Sequence, residues 1–305
     1  MKKIHKKWAF SFSIILLPVL LLSVFTLYPM INTFIMSFQK TTLEGDWYFA
    51  GVANFVEIFR DIKGQGKYSQ LIIAIKNTLW FIPVNLGILI PIPLLCAYYM
   101  QKNVKGANTY RIIFFLPAII SASALTISFR FMFNPQVGLI VKLMEGVGLG
   151  NMVPAAGFFG TTKSSLMMVI LYCVWAGIGY NILLIQGAIA RIPQELFESA
   201  SLDGAGMRHE FFNIVLPLSM PSIATLVILG FTGIFSVTLQ PMLLTGTDDT
   251  AVTTIGTYIL KQTVSGTNDS LISGATIGVL LTVILAPIVI ILRWALEKVT
   301  PEVGF

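Results

Sequence analysis

The residues of this chain that could take part in catalysis are few, and they are scattered along the sequence. Neither histidine, His5 or His209, has a metal-ligand or nucleophile partner near it, so solvated side chains are the better interpretation. Both cysteines, Cys96 and Cys173, lie inside long apolar stretches and form neither a disulfide framework nor a zinc-binding spacing. A membrane-embedded enzyme would require a nucleophile–base pair or metal ligands facing a cavity. The sequence therefore predicts no catalytic residue and no metal site.

Nucleotide chemistry is also excluded by the motifs. No G-x-x-x-x-G-K-[ST] phosphate-binding loop is present. The nearest approaches, at 64–67 and 157–164, both miss the spacing. We expect this chain to bind no ATP and no other cofactor, and not to be an enzyme.

The elements that must position any other site are apolar. Hydrophobic residues make up 55% of the 305 residues and charged residues only 11%, against about 25% in a soluble domain. A bilayer-crossing helix takes about 20 apolar residues. Six stretches of sufficient length contain no Asp, Glu, Lys or Arg: 8–39, 77–101, 112–129, 164–190, 211–247 and 270–292. We therefore predict an all-α, multi-pass membrane protein with six transmembrane helices.

The distribution of basic residues predicts the orientation. Lys and Arg accumulate in short cytoplasmic loops. The four N-terminal lysines, the segment 102–111 and the C-terminal Arg293 and Lys298 favour cytoplasmic N- and C-termini. The first stretch follows basic residues as a signal peptide would, but it is long and shows no small-x-small cleavage site, so we expect an uncleaved span. The membrane thus accounts for the net charge of +6, and no nucleic-acid partner is expected.

One polar segment, residues 191–217, is longer than a turn between two spans requires. Pro193 and Glu195 suit the first turn of a helix, and Gly204 is typical of a helix stop or hinge. We expect Leu196, Phe197 and Ala200 on one face of that helix. A second short helix should follow through 211–214, with Pro217 at the entry to the next span.

The charge of this segment favours a protein partner over a lipid surface. Helices that lie on the anionic inner leaflet are usually rich in Lys and Arg. The segment is instead net acidic, with four acidic residues against two arginines: Glu195, Glu198, Asp203 and Glu210 against Arg191 and Arg208. We interpret it as a docking element, with a lipid-surface helix as the alternative.

The same segment carries a family resemblance. The pattern begins with Glu198-Ser199-Ala200, continues after three residues with Gly204, and ends after nine more with Ile214-Val215-Leu216-Pro217. It resembles the EAA signature of binding-protein-dependent ABC importer permeases. Ser199 replaces the first alanine, a small-for-small change. We call residues 191–217 the EAA segment. Asp203-Gly204-Ala205, Phe115-Leu116-Pro117, Phe133-Asn134-Pro135 and Trp175 with Gly177 are similar to the sugar-importing branch.

The resemblance implies a type I ABC importer permease fold and a set of partners. These are a second permease subunit in a heterodimer, a cytoplasmic ATPase dimer that holds ATP and Mg, an extracytoplasmic solute-binding protein and membrane lipid. It implies a coupling site in the EAA segment, comprising Glu195, Glu198, Ser199, Ala200, Asp203, Gly204, Ala205, Ile214, Leu216 and Pro217. It places the chain in the bacterial plasma (inner) membrane.

The predicted domain division follows from the same reasoning. A cytoplasmic N-terminus and the first helix occupy residues 1–39, and an extracytoplasmic loop occupies 40–73. The permease module with five transmembrane helices covers 74–295, and a cytoplasmic tail covers 296–305. The loop 40–73 is either a docking site for the binding protein or a passive connection.

The solute pathway is predicted from side chains that suit a neutral polyol. Sugars are held by aromatic stacking and by hydroxyl and amide hydrogen bonds. Candidates are Ser121 and Ser123 on the third span and, on the fourth and fifth, Trp175, Tyr180, Asn181, Ser236 and Gln240. Resemblance to maltose-type importers adds Gly177 and Gly233 beside Tyr180 and Ser236. The alternative for Trp175 and Tyr180 is simple helix packing.

Two other functions remain open from the sequence. An ion-coupled secondary transporter usually places Asp, Glu or His within the membrane, and all six stretches lack acidic residues and histidine. The same permease family could also carry a glycerol phosphodiester, a phosphate ester or a peptide. A charged solute of that kind would favour Arg or Lys at mid-membrane, which is absent from the six stretches.

Overall fold

The computed structural model describes residues 2–42, 44–61, 66–102, 104–246 and 252–300, with the backbone alone for residues 2–11 and 162. Backbone contacts divide the chain into two compact units, residues 1–68 with 259–285 and residues 69–258 with 286–305. Several predicted features lie wholly or partly outside the described residues. They are the near miss at 64–67, the loop residues 247–251, the side chains of the basic N-terminus with His5, and tail residues 301–305.

The first unit begins with a long apolar helical run. α1 (Lys2–Leu22) continues through a π-helical turn (Ser23–Leu27) into α2 (Tyr28–Met36). The stretch predicted at 8–39 is therefore helical as far as Met36. Pro18 lies inside the run, where a membrane helix tolerates it if the freed carbonyl finds another partner.

A small hairpin follows that the all-α prediction did not contain. β1 (Gln39–Thr41) pairs antiparallel with β2 (Trp47–Phe49), and α3 (Ala53–Asp61) comes next. The amide of buried Asn54 donates to the carbonyl oxygens of residues 37 and 39 at 2.9 and 2.8 Å, which ties α3 to the end of α2. The carboxylate of Glu57 lies 2.8 Å from Lys40 Nζ and raises the pKa of that lysine.

The second unit is built from helices, two of which also extend into the first unit. In chain order they are α4 (Ser69–Leu79), α5 (Phe81–Val84), a π-helical turn (Asn85–Leu89), α6 (Pro91–Gln101), α7 (Ala107–Ile119), α8 (Ala122–Met132), α9 (Leu139–Gly146), a 3-10 turn (Gly150–Met152), α10 (Thr162–Ile189), α11 (Gln194–Leu202), α12 (Met207–Glu210), a π-helical turn (Phe211–Val215), α13 (Leu216–Gly233), a 3-10 turn (Ile234–Ser236), α14 (Leu239–Thr245), α15 (Ile255–Val264) and α16 (Asn268–Val299).

The number of membrane-crossing elements agrees with the prediction if a bent pair counts as one. In the described residues, five helical runs are long and apolar enough to cross a membrane: Phe12–Met36, Ser69–Gln101, Lys163–Ile189, Met207–Ser236 and Asn268–Val299. The pair Ala107–Ile119 and Ala122–Met132 passes the same test together but is bent by 107°.

That bend corrects the third predicted span, 112–129, which is not one straight helix. Ile120 is extended, with φ −76° and ψ 143°, and the hydroxyl of Ser121 accepts a hydrogen bond from the backbone N–H of Ala124. Ser121 is thus the N-cap of a new helix. Pro117 removes a helical hydrogen bond one turn earlier and weakens the end of α7.

The fifth charge-free stretch, 211–247, is longer than one span, and it contains a loop that begins after Ser236. The helical run Met207–Ser236 stops there, and Val237 is extended before α14 begins as a separate helix. The hydroxyl of Thr254 donates to the carbonyl of Val237, and that of Thr257 donates to the carbonyl of Thr238 at 2.6 Å. Backbone groups released by the break are therefore satisfied within the second unit.

The core of the second unit lies along α10. Its latter half packs with α6 and α13 around Ile182, Ile185 and Ile189, and its first half packs with α8 around Val169 and Tyr172. A Cβ added to Gly179 would overlap the carbonyl oxygen of Phe114 in α7. Gly179 is therefore required for the close approach of α7 to α10.

Candidate functional site

A central cavity lies among the helices of the second unit. Its volume is about 260 Å³, and it is bounded by α5, the π-helical turn Asn85–Leu89, α10, α13 and the 3-10 turn that follows α13. Of the described residues that line it, none carries a formal charge. The lining consists of Phe81, Val84, Asn85, Leu89, Cys173, Gly177, Tyr180, Asn181, Leu226, Leu229, Gly230, Gly233, Ile234 and Val237.

Four of the residues predicted for the solute pathway line this cavity. They are Gly177, Tyr180, Asn181 and Gly233. The phenol of Tyr180 is half exposed. The structure thus brings together one aromatic ring, one amide and two glycines that leave room beside them.

Asn181 also has a structural task. Its Nδ2 donates a 2.7 Å hydrogen bond to the carbonyl oxygen of Leu89. In a regular helix that carbonyl would accept from residue 93, which is Pro93 and has no N–H. A side chain of α10 therefore satisfies a carbonyl that a proline of α6 leaves free, as membrane helices require.

Asn85 was missed by the sequence reasoning. It lines the cavity, it is 9% exposed, and its Oδ1 accepts no hydrogen bond from the described residues. Its amide packs against Gly230, where an added Cβ would overlap it. A side-chain amide in a charge-free stretch, between Pro83 and Pro91, was the signal that could have identified it.

The other predicted pathway residues lie outside the cavity lining. The ring of Trp175 stacks on Phe129 with centroids 5.7 Å apart, which is helix packing. Ser121 caps α8, and Ser123 and Ser236 are exposed. Gln240 Oε1 accepts from the backbone N–H of Thr238 at 3.2 Å.

The EAA segment forms a helix, a tight turn and a second helix. Pro193 is the N-cap of α11. Gly204 has φ +73°, its N–H donates to the carbonyl of Ser201 at 3.1 Å, and the N–H of Ala205 donates to the carbonyl of Ala200 at 2.9 Å. This pattern is a Schellman motif, in which glycine adopts the left-handed conformation without a steric cost.

The sequence predicted a separate short helix as the second helix of the EAA segment, and this prediction was wrong. α12, the π-helical turn and α13 form one continuous run, Met207–Ser236. Pro217 is at the start of α13, directly after the π-helical turn. Because that turn shifts the hydrogen-bonding pattern by one residue, the proline ring enters the helix without ending it.

The exposed face of the EAA segment surrounds Gly204. Phe197 and Ala200 are half-buried, whereas Leu196, expected on the same face, is exposed. Leu202 is 89% exposed and Met207 59%. The other predicted coupling residues divide into an exposed group, Glu195, Glu198, Ser199, Asp203 and Gly204, and a half-buried group, Ala205, Ile214, Leu216 and Pro217.

Glu210 was included among the acidic residues of this segment, but it does not contribute a negative charge to the exposed surface. It is 6% exposed, and both oxygens of its carboxylate lie 2.6 Å from Lys102 Nζ. Its charge is therefore neutralised inside the protein and is not presented to a partner.

Comparison with known proteins decides the family. Residues 89–304 match the model of the binding-protein-dependent transport system inner membrane component. The chain belongs to this family. It is 30% identical over 234 residues to the probable ABC transporter permease protein YurN of Bacillus subtilis, covering 76% of this chain and 77% of YurN. It is 31% identical over 200 residues to the arabinooligosaccharides transport system permease protein AraP of the same species, covering 65% of this chain and 60% of AraP.

The fold of this inner membrane component is that of an ABC importer permease. A chain of a bacterial alginate ABC transporter, solved in complex with a periplasmic protein holding an alginate pentasaccharide, superposes with a TM-score of 0.80 and 25% identity. The match covers 100% of this chain and 99% of that chain. The protein is thus a multi-pass component of the bacterial inner membrane, and members of its family are transport subunits and not enzymes.

Proposed function

We propose that this chain is one of two permease subunits of an ATP-driven importer for a neutral sugar or oligosaccharide. The observation that carries the proposal is the uncharged central cavity. The polar side-chain groups that line it include the amides of Asn85 and Asn181 and the phenol of Tyr180. Such groups suit the hydroxyls of a sugar, and the aromatic ring suits its apolar face. The names of AraP and of the alginate transporter support a carbohydrate cargo. The neutrality of the cargo rests on the cavity alone, because alginate is an acidic polysaccharide.

The cargo is proposed to be neutral because a charged solute would need a compensating charge. An isolated ion in a site of low dielectric constant costs several kcal/mol or more. Of the described residues that line the cavity, none is Lys, Arg, Asp or Glu. The same observation disfavours an ion-coupled transporter, which needs an ionisable group on the pathway.

Coupling to ATP is proposed to occur through the EAA segment. In this proposal the N- and C-termini are cytoplasmic, and the exposed turn between α11 and α12 docks on a separate ATPase dimer that holds ATP and Mg. The Schellman motif at Gly204 supports this role, because it fixes the two helices as a rigid knob that can transmit a rotation. Leu202 and Met207, both strongly exposed, are the apolar anchors of the knob.

The remaining partners follow from the same proposal. A second, different permease subunit completes the pathway, and a solute-binding protein delivers the solute from outside. The family name, which specifies binding-protein-dependent transport, supports the delivery step. The complex of the alginate transporter with a loaded periplasmic protein supports it as well.

The proposal is tested by purifying the chain from its native membrane in mild detergent and identifying the proteins that accompany it. We expect a second multi-pass subunit and an ATPase that contains a phosphate-binding loop. Recovery of the chain alone or as a homodimer, at every detergent concentration, would contradict the importer. Uptake assays with neutral oligosaccharides and with phosphate esters would then distinguish a sugar importer from a family member with charged cargo.

A further inference from the structure

A single lysine at the end of α6 contacts the EAA segment on both sides of its turn. Lys102 follows the last residue of α6 directly, and its Nζ lies 2.6 Å from both carboxylate oxygens of Glu210 in α12. The same Nζ lies 5.3 Å from the centroid of the Phe197 ring in α11. Gly204 separates these two partners in the chain, so Lys102 holds both helices of the EAA segment at once.

Tyr98, one turn earlier on α6, reinforces this contact. Its hydroxyl donates to the carbonyl oxygen of Met207 at 3.2 Å, and its ring meets Phe211 edge-on with centroids 5.3 Å apart. Tyr98 is 2% exposed and Phe211 is 8% exposed. The end of α6 is therefore attached to the EAA segment by an ion pair, a hydrogen bond and a packed aromatic pair.

The burial of the Glu210 carboxylate makes its ion pair with Lys102 necessary. The Glu210 side chain is 8% exposed, whereas that of Lys102 is 35% exposed. A buried carboxylate without its partner is strongly destabilised, so Glu210 needs Lys102. The lysine in turn lies at the C-terminal end of α6, where the helix dipole favours a positive charge.

The other end of this helical run borders the central cavity. α6 follows the π-helical turn that carries Asn85 and Leu89, both of which line the cavity. Lys102 lies about 25 Å along the run from Asn85, at 1.5 Å per residue. The EAA segment is joined covalently to α10 and α13. It contacts the run Ser69–Gln101 and the adjoining Lys102 through side chains, among them Tyr98 and Lys102.

We propose that Lys102 is a positioning residue that transmits movement of the EAA segment to the cavity through the Lys102–Glu210 ion pair and α6. The proposal rests on the proposed function, because it assigns a route for the coupling between ATPase and pathway. When the turn at Gly204 rotates with the ATPase, the ion pair moves α6, and α6 moves Asn85 and Leu89. Without the ion pair, α10 and α13 still move, but α6 follows them only partly.

The space around Lys102 allows a conservative variant. A polar cavity of about 410 Å³ lies beside the ion pair and is lined by Gln101, Gln194 and both members of the pair, among others. An arginine at position 102 has room there, and its guanidinium pairs with a carboxylate in a bidentate manner. We therefore expect Lys102→Arg to preserve coupling and Lys102→Gln to lose it.

The experiment uses the complete transporter reconstituted in proteoliposomes, with binding protein and a neutral oligosaccharide. Three quantities are measured for each variant: the amount of ATPase that co-purifies, the rate of ATP hydrolysis and the solute taken up per ATP hydrolysed. The variants are Lys102→Gln, Glu210→Gln, the double variant of both, and Lys102→Arg. Lys105→Gln is the matched control, since Lys105 is an exposed lysine of the same loop.

The double variant protects the test against misfolding, because it removes both charges and leaves no unpaired carboxylate. We expect Glu210→Gln and the double variant to retain ATPase association while the uptake per ATP falls about fivefold or more, the scale of a typical coupling energy. Lys102→Arg and Lys105→Gln should stay within about twofold of the wild type, which is below that scale.

Two results would overturn the proposal. In one, the double variant transports with the wild-type stoichiometry. In the other, ATPase association and uptake fall in parallel in the neutralised variants, and Lys102→Arg shows the same losses. That pattern would indicate a purely structural role. If the wild-type complex itself shows no ATP-driven uptake, the proposed function has failed, and the route that rests on it fails too.

Discussion

The side-chain amide of Asn181 in α10 donates a 2.7 Å hydrogen bond to the carbonyl oxygen of Leu89, which Pro93 deprives of its helical donor. This bond allows a proline-rich helix to lie beside the cavity without an unsatisfied carbonyl in the membrane. Replacing Asn181 by Leu leaves that carbonyl unpaired, and we expect a loss of about 1–3 kcal/mol in stability. Thermal unfolding of the detergent-purified protein would measure the loss.

The control for this prediction is Pro93→Ala, which returns an N–H to position 93. In that background Leu89 regains a helical donor, so Asn181→Leu should cost clearly less than it does beside Pro93. Equal losses in the two backgrounds would show that the bond to Leu89 is not the reason for the effect.

Gly179 should tolerate no side chain, because an added Cβ would overlap the carbonyl oxygen of Phe114. We expect Gly179→Ala to destabilise the protein by about 1–3 kcal/mol as α7 and α10 are forced apart. Gly187→Ala on the same helix is the matched control, since a Cβ there meets no described atom within 4 Å. That control should be neutral or stabilising by up to about 1 kcal/mol, and melting curves that rank the two variants in the reverse order would refute the packing assignment.

Asn85→Leu should separate function from stability. Because Asn85 Oδ1 is buried without a hydrogen-bond partner among the described residues, its replacement by an apolar residue of similar size should leave the melting temperature unchanged or raise it. Loss of a hydrogen bond to the solute should raise the KM for uptake by about tenfold, which corresponds to about 1.4 kcal/mol. Unchanged uptake kinetics would mean that Asn85 does not contact the solute.

Gly204 should be indispensable for coupling. Its φ of +73° is incompatible with proline, so Gly204→Pro should disrupt the Schellman motif, abolish transport and weaken ATPase association while the protein still inserts. Glu198→Arg should do the same by reversing an exposed charge of α11. Gly206→Ala is the control, because Gly206 has φ −76° and an added Cβ meets no described atom within 4 Å. Normal transport by either of the first two variants would rule out the EAA segment as the coupling element.

The sequence predicted best what local chemistry determines. Every membrane-crossing run overlaps one of the charge-free stretches. Gly204 was recognised as a helix stop because only glycine adopts a left-handed conformation freely. The prediction that Leu196 shares a face with Phe197 and Ala200 was wrong, because Leu196 is exposed. The apolar face of this short helix is too weak to predict the orientation of the helix without its neighbours.

Features set by tertiary contacts were not predictable in this way. The break between α7 and α8 depends on Ser121 capping a new helix in a charge-free stretch. Glu210 was counted as an exposed acid because its partner, Lys102, lies far away in the sequence. The amide of Asn85 in a charge-free stretch was a signal, but its position beside Gly230 could not be predicted, since it depends on how the π-helical turn Asn85–Leu89 packs against α13.

The most direct measurement of the central claim is oligosaccharide uptake into proteoliposomes that contain the purified transporter and its binding protein. We predict uptake that requires ATP and Mg on the side of the EAA segment, that persists when ionophores remove all ion gradients, and that Gly204→Pro abolishes. Uptake that proceeds without ATP and stops when an ionophore is added would contradict the account and show an ion-coupled transporter.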